Sequence, residues 1–397
     1  AGQCFDQNRR KHAKRKFISN LPKMEDEKLR VVMQGGEEEK ASDFANYFCS
    51  YASLYHQKQM LTDHRRMKAY YDSIMSNKSK FKGKVVLDVG TGSGILSLWC
   101  AKAGAKKVYA VEYTDMAKLA KKLLTANGVD HIVEVIQSSV EDLKINEAVD
   151  IIISEWMGYF LLRESMLDSV IKARDKWLKP DGIMLPSHAT MYLGLVSDEE
   201  DRLYKASEYI QSTQEWHRFK KEMSKMYQCD MSVLEGVYKT EQKEYYILST
   251  FWAELNPDQC IGKPYEVKHL DLQTCTMQDV QGLEEKSFRI PVDRDCTISG
   301  FYGYFTTDFI GSEKNKLDKF FTLSTAPENG YTHWGQQVFY LEVPHWVPLG
   351  GAICGSIKME RQKENIRLYN IIMKHQQIDS EEERTPTNMH QDTYLMP

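Results

Sequence analysis

No stretch of about eighteen uncharged apolar residues occurs in the 397-residue chain, so no transmembrane helix is expected. The longest apolar stretch, from Val149 to Leu162, is interrupted by Asp150, Ser154 and Glu155. The first residues form no apolar signal-like region, so secretion is not expected. An excess of one charge is also lacking. The 52 Lys and Arg residues against 56 Asp and Glu leave a formal net charge of −4, which argues against a nucleic-acid coat or a polybasic membrane binder. The 8 cysteines form neither a C-x-x-C pair nor a Cys/His group at zinc spacing. No metal site is therefore expected, and scattered single thiols point to the reducing cytoplasm or nucleus. With 42% apolar and 27% charged residues the chain is too apolar for global disorder. At about 150 residues per domain its length suits two or three domains.

Residues 1–42 read as a solvated, disordered tail, with the basic run Arg9 to Lys16 and the acidic Glu37-Glu38-Glu39. A nuclear-localisation or nucleic-acid contact is the alternative for the basic run. From Asp43 to about residue 77, Tyr47, Tyr51, Leu54, Tyr55, Met60, Met67 and Tyr71 recur at helical spacing, predicting one or two helices. Residues 84–155 then alternate. Strands are expected at Lys84–Val89, Lys107–Val111, Ile132–Ile136 and Asp150–Ser154, with helices at Gly94–Ala103 and Met116–Asn127 between the first three. This order predicts a parallel, doubly wound, Rossmann-like sheet with ligand at the carboxyl ends of the strands. A further helix, Leu167–Trp177, is expected to stop at Lys179-Pro180-Asp181-Gly182. After about residue 185 short alternating strands take over, such as Thr190–Val196, Tyr246–Trp252, Thr297–Phe305, Gln337–Glu342 and Ala352–Met359. They predict a β-sandwich or barrel over 186–397, interrupted by one helical insertion at about 199–228.

Val86-Leu87-Asp88-Val89-Gly90-Thr91-Gly92-Ser93-Gly94 joins a strand to a helix. A dinucleotide fingerprint would put its third glycine at 95, where Ile95 stands, and no G-K-[ST] follows for a phosphate loop. Glu112, at the tip of the second strand, is placed to accept ribose hydroxyls. Val140 and Glu141 follow the third strand and can face an adenine, while Asp88 beside the turn could meet an amino group. An acidic cradle without phosphate donors suits a cationic adenosine ligand, S-adenosylmethionine (SAM). The plainer alternative is a tight strand-to-helix turn with no ligand.

Glu155 and Glu164 lie nine residues apart after the fourth strand. On a continuous helix nine steps of about 100° put them on opposite faces. A chain reversal near Met157-Gly158-Tyr159 would bring both carboxylates to one pocket. Two such acids among aromatics are costly unless a cation sits between them, and a guanidinium, planar and always charged, fits. The alternative is that each acid caps or pairs locally.

The chain resembles the type I protein arginine N-methyltransferases from about Asp43 to Lys363. Tyr47-Phe48-Cys49-Ser50-Tyr51 is similar to the family's Y-F-x-x-Y helix, Val86–Gly94 to its first SAM motif, Ser154–Met166 to its double-E hairpin and Thr332-His333-Trp334 to its threonine-histidine-tryptophan loop. The resemblance implies that Arg66 holds the methionine carboxylate of SAM and that Gly90 and Gly92 line its cradle. It further implies that Glu112 binds the ribose, Val140 and Glu141 the adenine, and Glu155 and Glu164 the substrate guanidinium. Tyr47 and Tyr51 would fold over the site as a lid, Met60 and Met166 would pack near the transferred methyl, and His333 and Trp334 would wall the arginine pocket. Gln57 stands where most relatives carry a histidine; it can still donate to the ribose, but an amide does not supply the histidine's proton relay from that position.

The implied reaction methylates arginine in protein substrates such as histone tails and Gly-Arg-rich proteins, giving monomethyl and asymmetric dimethylarginine, in nucleus and cytoplasm. It requires no metal and no direct nucleic acid. Symmetric dimethylation, monomethylation and a catalytically weak SAM-binding scaffold are the alternatives. A nucleobase amino-methyltransferase would need a Pro-Pro-aromatic motif where Glu155-Trp156-Met157 stands, and a small-molecule methyltransferase would not explain the second domain. In the insertion, Trp216, Phe219, Met223, Met226 and Tyr227 draw one apolar stripe, expected to serve as a homodimerisation arm.

Overall fold

The computed structural model of the protein describes residues 51–363, 365–378 and 389–396. The expectations for the 1–42 tail, for Tyr47 and for the helix before Tyr51 lie outside these residues.

The first layer is a parallel sheet in the order β3-β2-β1-β4-β5, built from β1 (Val85–Val89), β2 (Lys107–Glu112), β3 (Val133–Gln137), β4 (Val149–Ser154) and β5 (Leu178–Leu185). β1 is buried along its whole length, as expected of a strand covered on both faces. Its neighbours are β2, with Val86 opposite Val108, and β4, with Val86 opposite Ile151. The strand order reverses there, which opens a crevice at the carboxyl ends of β1 and β4.

Before the sheet come α1 (Leu54–Leu61), α2 (His64–Met75) and the short α3 (Lys78–Phe81). The break between α1 and α2 has a local cause: the Asp63 carboxylate accepts the Arg66 backbone N–H at 3.0 Å and caps the new helix. The sheet is flanked by α4 (Ile95–Lys102), α5 (Met116–Ala126) and α6 (Leu167–Trp177). α6 ends at Trp177, just before the expected stop at 179–182, and a strand that was not expected follows. β5 starts immediately after α6, with Leu178 opposite Val149 and Ile183 opposite Ile151, and Pro180 and Asp181 loop outward between these pairs.

The second layer is antiparallel. One six-stranded sheet contains β6 (His188–Val196), β7 (Phe251–Ala253), β8 (Cys260–Asp271), β10 (Cys296–Gly311), β11 (Lys316–Ser324) and β12 (Gln336–Val347). The other contains β9 (Leu283–Pro291), β13 (Ala352–Arg361), β14 (Tyr369–Ile378) and β15 (His390–Met396). Their inner faces share one barrel-like core, in which Phe301 meets Phe288 and His375, each at 5.7 Å, and Phe339 meets Tyr394 at 5.6 Å.

The insertion corrects two expectations. It is a pair of helices, α7 (Glu199–Tyr227) and α8 (Glu235–Tyr246), not one, and the expected strand Tyr246–Trp252 is reduced to Phe251–Ala253. The apolar stripe of α7 is split between two uses. Trp216 stacks on Tyr238 of α8 at 4.3 Å with Phe219 beside it at 5.1 Å, whereas Met226 and Tyr227 stay about two-thirds exposed. Among the described residues no helix is long and apolar enough to cross a membrane.

Candidate active site

The turn after β1 curls through left-handed backbone at Gly90 (φ 71°) and Gly92 (φ 54°), a region that favours glycine. Neighbours also crowd it. A Cβ on Gly90 would lie 2.3 Å from the Met166 methyl, and one on Gly92 would lie 2.9 Å from Gln57 Oε1. Met166 and Gln57 therefore lie directly over this turn. Glu112 closes the same end: one oxygen accepts the Gly92 N–H at 3.0 Å, and the other accepts the Thr114 N–H and hydroxyl at 2.9 and 2.7 Å.

Asp88 is fully enclosed, so it braces the turn from beneath. Its Oδ2 accepts the Ser97 N–H at 3.1 Å, the Ser97 hydroxyl at 2.7 Å and the Thr91 hydroxyl. Burial, with a smaller push from Glu112, raises its carboxyl to about 6 despite those bonds. Oδ1 has no hydrogen-bond partner among the described residues. Val140 is buried. Glu141 lies beside it, but its carboxylate is taken by α6, where Lys172 Nζ and Ser169 Oγ reach it at 3.0 and 3.2 Å. Burial, the largest single influence, would raise that carboxyl; Lys172, its own backbone N–H and Ser169 together outweigh it and hold Glu141 below the usual carboxylate range.

The segment after β4 turns back on itself. Gly158 and Leu161 form an antiparallel bridge, and a Cβ on Gly158 would fall 1.8 Å from the Arg163 carbonyl oxygen. Phe160, Leu161, Glu164 and Ser165 all adopt positive φ, between 45° and 78°, at a cost of about 1–2 kcal/mol per residue. The reversal brings Glu155 near enough for its charge to act on Glu164. Arg66 grips Glu155 Oε2 through Nη2 at 2.8 Å and Nε at 3.0 Å, and its Nη1 donates to the Met60 carbonyl at 3.2 Å. Glu164 accepts the Tyr51 hydroxyl at 2.7 Å, with Arg163 Nη1 at 3.4 Å from its other oxygen. Burial first and Glu155 second raise the Glu164 carboxyl above the usual range, against Tyr51, Arg163 and Arg367, which favour its charged form.

The loop before β12 closes the other wall. The backbone N–H and ring Nδ1 of His333 both lie within hydrogen-bond distance of Asp63 Oδ2, at 2.9 and 2.8 Å. Burial opposes ionisation of Asp63, but the bonds from His333 and Arg66 prevail and hold its carboxyl below the usual range. Trp334 is buried, donates from Nε1 to the Met157 carbonyl at 2.9 Å and so ties this loop to the reversed segment. Contacts thus join Gln57, Glu112 and Met166 to the glycine turn, Arg66 and the Met60 carbonyl to Glu155, Trp334 to the reversed segment that carries Glu164, and His333 to Asp63 at the start of α2.

Three residues of this constellation are absent from the sequence reading. Asp63 has a visible signal, an acid one residue before a helix, though only as a cap. Arg163 adjoins Glu164 but carries no motif. Arg367 comes from the loop between β13 and β14, with no signal at all. Among the described residues no three His, Cys, Asp or Glu side chains gather as metal ligands.

Residues 187–380 match the family model for the arginine methyltransferase oligomerization subdomain, and residues 57–223 match that for ribosomal protein L11 methyltransferase. The chain is 48% identical over 335 residues to protein arginine N-methyltransferase PRMT10 of Arabidopsis thaliana, covering 84% of this chain and 87% of that one. It is 39% identical to protein arginine N-methyltransferase 1 of Caenorhabditis elegans, covering 85% and 89%. Among solved structures it is similar to Arabidopsis thaliana protein arginine methyltransferase 10, described as uniquely open, with a TM-score of 0.85, 45% identity, and coverage of 88% of this chain and 100% of that one. It also resembles the Trypanosoma brucei PRMT1 enzyme–prozyme complex with AdoHcy, with a TM-score of 0.71, 29% identity, and coverage of 88% and 100%.

Proposed function

The chain belongs to the protein arginine N-methyltransferase family, and from that premise we propose that it uses SAM to make monomethyl and asymmetric dimethylarginine in protein substrates, Gly-Arg-rich segments and histone tails among them. One observation carries the reading. At the exit of β4, a reversed segment holds Glu155 so that it already binds a guanidinium, that of Arg66, beside a second acid and a glycine cradle. A substrate arginine presents the same planar cation to the same pair.

The cradle fits the cofactor. Glu112 and Gln57 converge on Gly92 with acceptor and donor groups for a ribose, Gly90 lets the turn curl close beneath Met166, and the enclosed Asp88 keeps Oδ1 without a partner among the described residues. Bound SAM supplies an electrophilic methyl group. The protein's own task is the nucleophile. A guanidinium is a poor one, because its charge is delocalised and its pKa exceeds about 12. Glu155 and Glu164 orient it, draw its positive charge toward themselves and leave lone-pair density on the nitrogen to be methylated. His333, held at Nδ1 by Asp63, keeps Nε2 as the ring nitrogen able to take the departing proton. Met166, over the glycine turn, is assigned together with Met60 to narrow the space beside the accepting nitrogen, which favours the asymmetric product.

The test is incubation with isotopically labelled SAM and a Gly-Arg-rich peptide, with mass spectrometry of the modified residue. Monomethyl and then asymmetric dimethylarginine are expected. Label on lysine only, or no label, would overturn the reading.

We assign homodimerisation to the α7–α8 arm. Val233 and Val237 near its tip are 80% and 58% exposed, apolar side chains without cover in the single chain. In an isologous dimer each arm would cover itself on the partner. The double substitution Val233→Asp and Val237→Asp is expected to weaken the dimer by at least about tenfold, as charges at an apolar contact do. Analytical ultracentrifugation checks this. An unchanged dimer, or a wild type monomeric at micromolar concentration, would defeat it.

A further inference from the structure

Glu164 sits in a backbone conformation that its own segment does not favour, with φ at 78° and Ser165 following at 56°. What holds it there comes from about two hundred residues away. The loop between β13 and β14 meets the reversed segment in a reciprocal clamp. The Glu164 N–H donates to the Arg367 carbonyl at 2.8 Å, and Arg367 Nη1 donates back to the Glu164 carbonyl at 2.7 Å. The next residue repeats the attachment, with the Ser165 hydroxyl donating to the Ile366 carbonyl at 2.7 Å. The loop is itself braced. Asn365 Oδ1 accepts the Arg367 N–H at 2.9 Å, and Arg361, at the end of β13, forms a two-pronged pair with Asp168 of α6 at 2.7 and 2.8 Å.

We propose that Arg367 is a positioning residue for methyl transfer, which fixes the left-handed backbone of Glu164 and keeps a positive charge beside its carboxylate. This rests on the arginine-methylating reading of the site. The clamp addresses both requirements placed on Glu164. Direction comes from the two bonds to the Glu164 main chain; the one from the Arg367 side chain is the one a substitution removes, and without it the unfavoured backbone that aims the carboxylate is held at the N–H alone. Charge comes from the guanidinium. The titratable groups facing Glu164 are Tyr51 from the N-terminal segment, Tyr159 and Arg163 within the reversed segment, Glu155 across the crevice and Arg367 from the loop. Burial and Glu155 favour the neutral acid, which cannot hold a cationic substrate, while Arg163, Arg367 and the Tyr51 hydroxyl oppose them. Since the Glu164 carboxyl already lies above the usual range, losing Arg367 raises it further. The active carboxylate is then lost at higher pH as the solution is acidified.

The test compares Arg367→Gln, which keeps a donor for the Glu164 carbonyl but no charge, with Arg367→Lys, which keeps the charge. The readout is kcat/KM for a Gly-Arg-rich peptide against pH, with SAM affinity measured alongside. Arg367→Gln is expected to move the acidic limb upward by at least about half a pH unit and to lower kcat/KM by roughly tenfold or more. SAM affinity is expected to stay unchanged. Arg367→Lys is expected to keep the wild-type limb while losing part of the rate. If Arg367→Gln does not fold, Arg367→Met, which keeps the apolar stem, serves in the same comparison. Limbs coincident in all variants, or an equal displacement for Lys and Gln, would overturn the positioning role. A wild type inert toward the arginine peptide would instead overturn the reading of the site itself.

Discussion

Glu155→Gln and Glu164→Gln are each expected to lower kcat by about 10²–10³-fold, the usual effect of removing one preorganised electrostatic contact. Glutamine keeps the shape of the side chain. At 164 its carbonyl can still accept the Tyr51 hydroxyl. What disappears is the negative charge that holds a cation and draws its charge off the attacking nitrogen. The two variants differ in their effect on SAM. The Arg66 guanidinium pairs with Glu155 and the Met60 carbonyl, whereas the Glu164 carboxylate takes Tyr51 and Arg163, so the Glu164 variant is expected to bind SAM as the wild type does. Glu155 binds Arg66 through two nitrogens at one oxygen; the amide oxygen of Glu155→Gln can still accept them but no longer carries charge, so that guanidinium is held less tightly, and SAM affinity is expected to hold or tighten. Steady-state kinetics with a Gly-Arg-rich peptide and calorimetry with SAM measure both. A variant keeping more than about a third of wild-type kcat would remove that residue from catalysis.

Glu112→Ala is expected to weaken SAM binding by about one to two decades. A hydrogen bond to a charged group is worth about 1.5–3 kcal/mol, and each 1.4 kcal/mol is about tenfold. The structure adds an indirect effect in the same direction. Glu112 is also the acceptor for the Gly92 and Thr114 N–H groups, so its removal loosens the turn that cradles the ligand. Glu112→Gln retains an acceptor and is expected to fall between wild type and alanine. Titration calorimetry decides, with circular dichroism confirming that each variant is folded. An alanine variant of unchanged SAM affinity would exclude Glu112 from the cofactor site.

Local pattern carried much of the architecture. β1 to β4 and their helices are legible because buried parallel strands are short apolar runs punctuated by glycine, and Gly90 and Gly92 announce a turn that few other residues can make. The same local reasoning misled at the start of the expected strand Tyr246–Trp252, where Tyr246-Ile247-Leu248 is an aromatic and apolar run with the look of a strand. The chain is helical through Tyr246 because α8 packs on α7, with Tyr238 stacked on Trp216, and that tertiary contact outweighs a weak propensity. Lys-Pro-Asp-Gly was legible as the end of α6 but hid β5, in which it forms a bulge between two paired stretches.

The candidate site divides in the same way. Residue type and spacing by themselves determined that Glu155 and Glu164 need a reversal to act together, and that Glu112 belongs at a strand tip beside a glycine turn. Only the tertiary structure decided what each acid touches. Arg66 takes Glu155, Tyr51 takes one oxygen of Glu164, Asp63 takes His333 and Arg367 takes the backbone of Glu164. Asp63 and His333 lie 270 residues apart, and Glu164 and Arg367 lie 203 apart. No periodicity reaches so far, because helical and strand patterns record only which face of one element is buried. Which charges meet across the crevice depends on how the antiparallel domain docks against the parallel sheet, and that docking is set by the packing of Trp334 and Phe160 in a shared core.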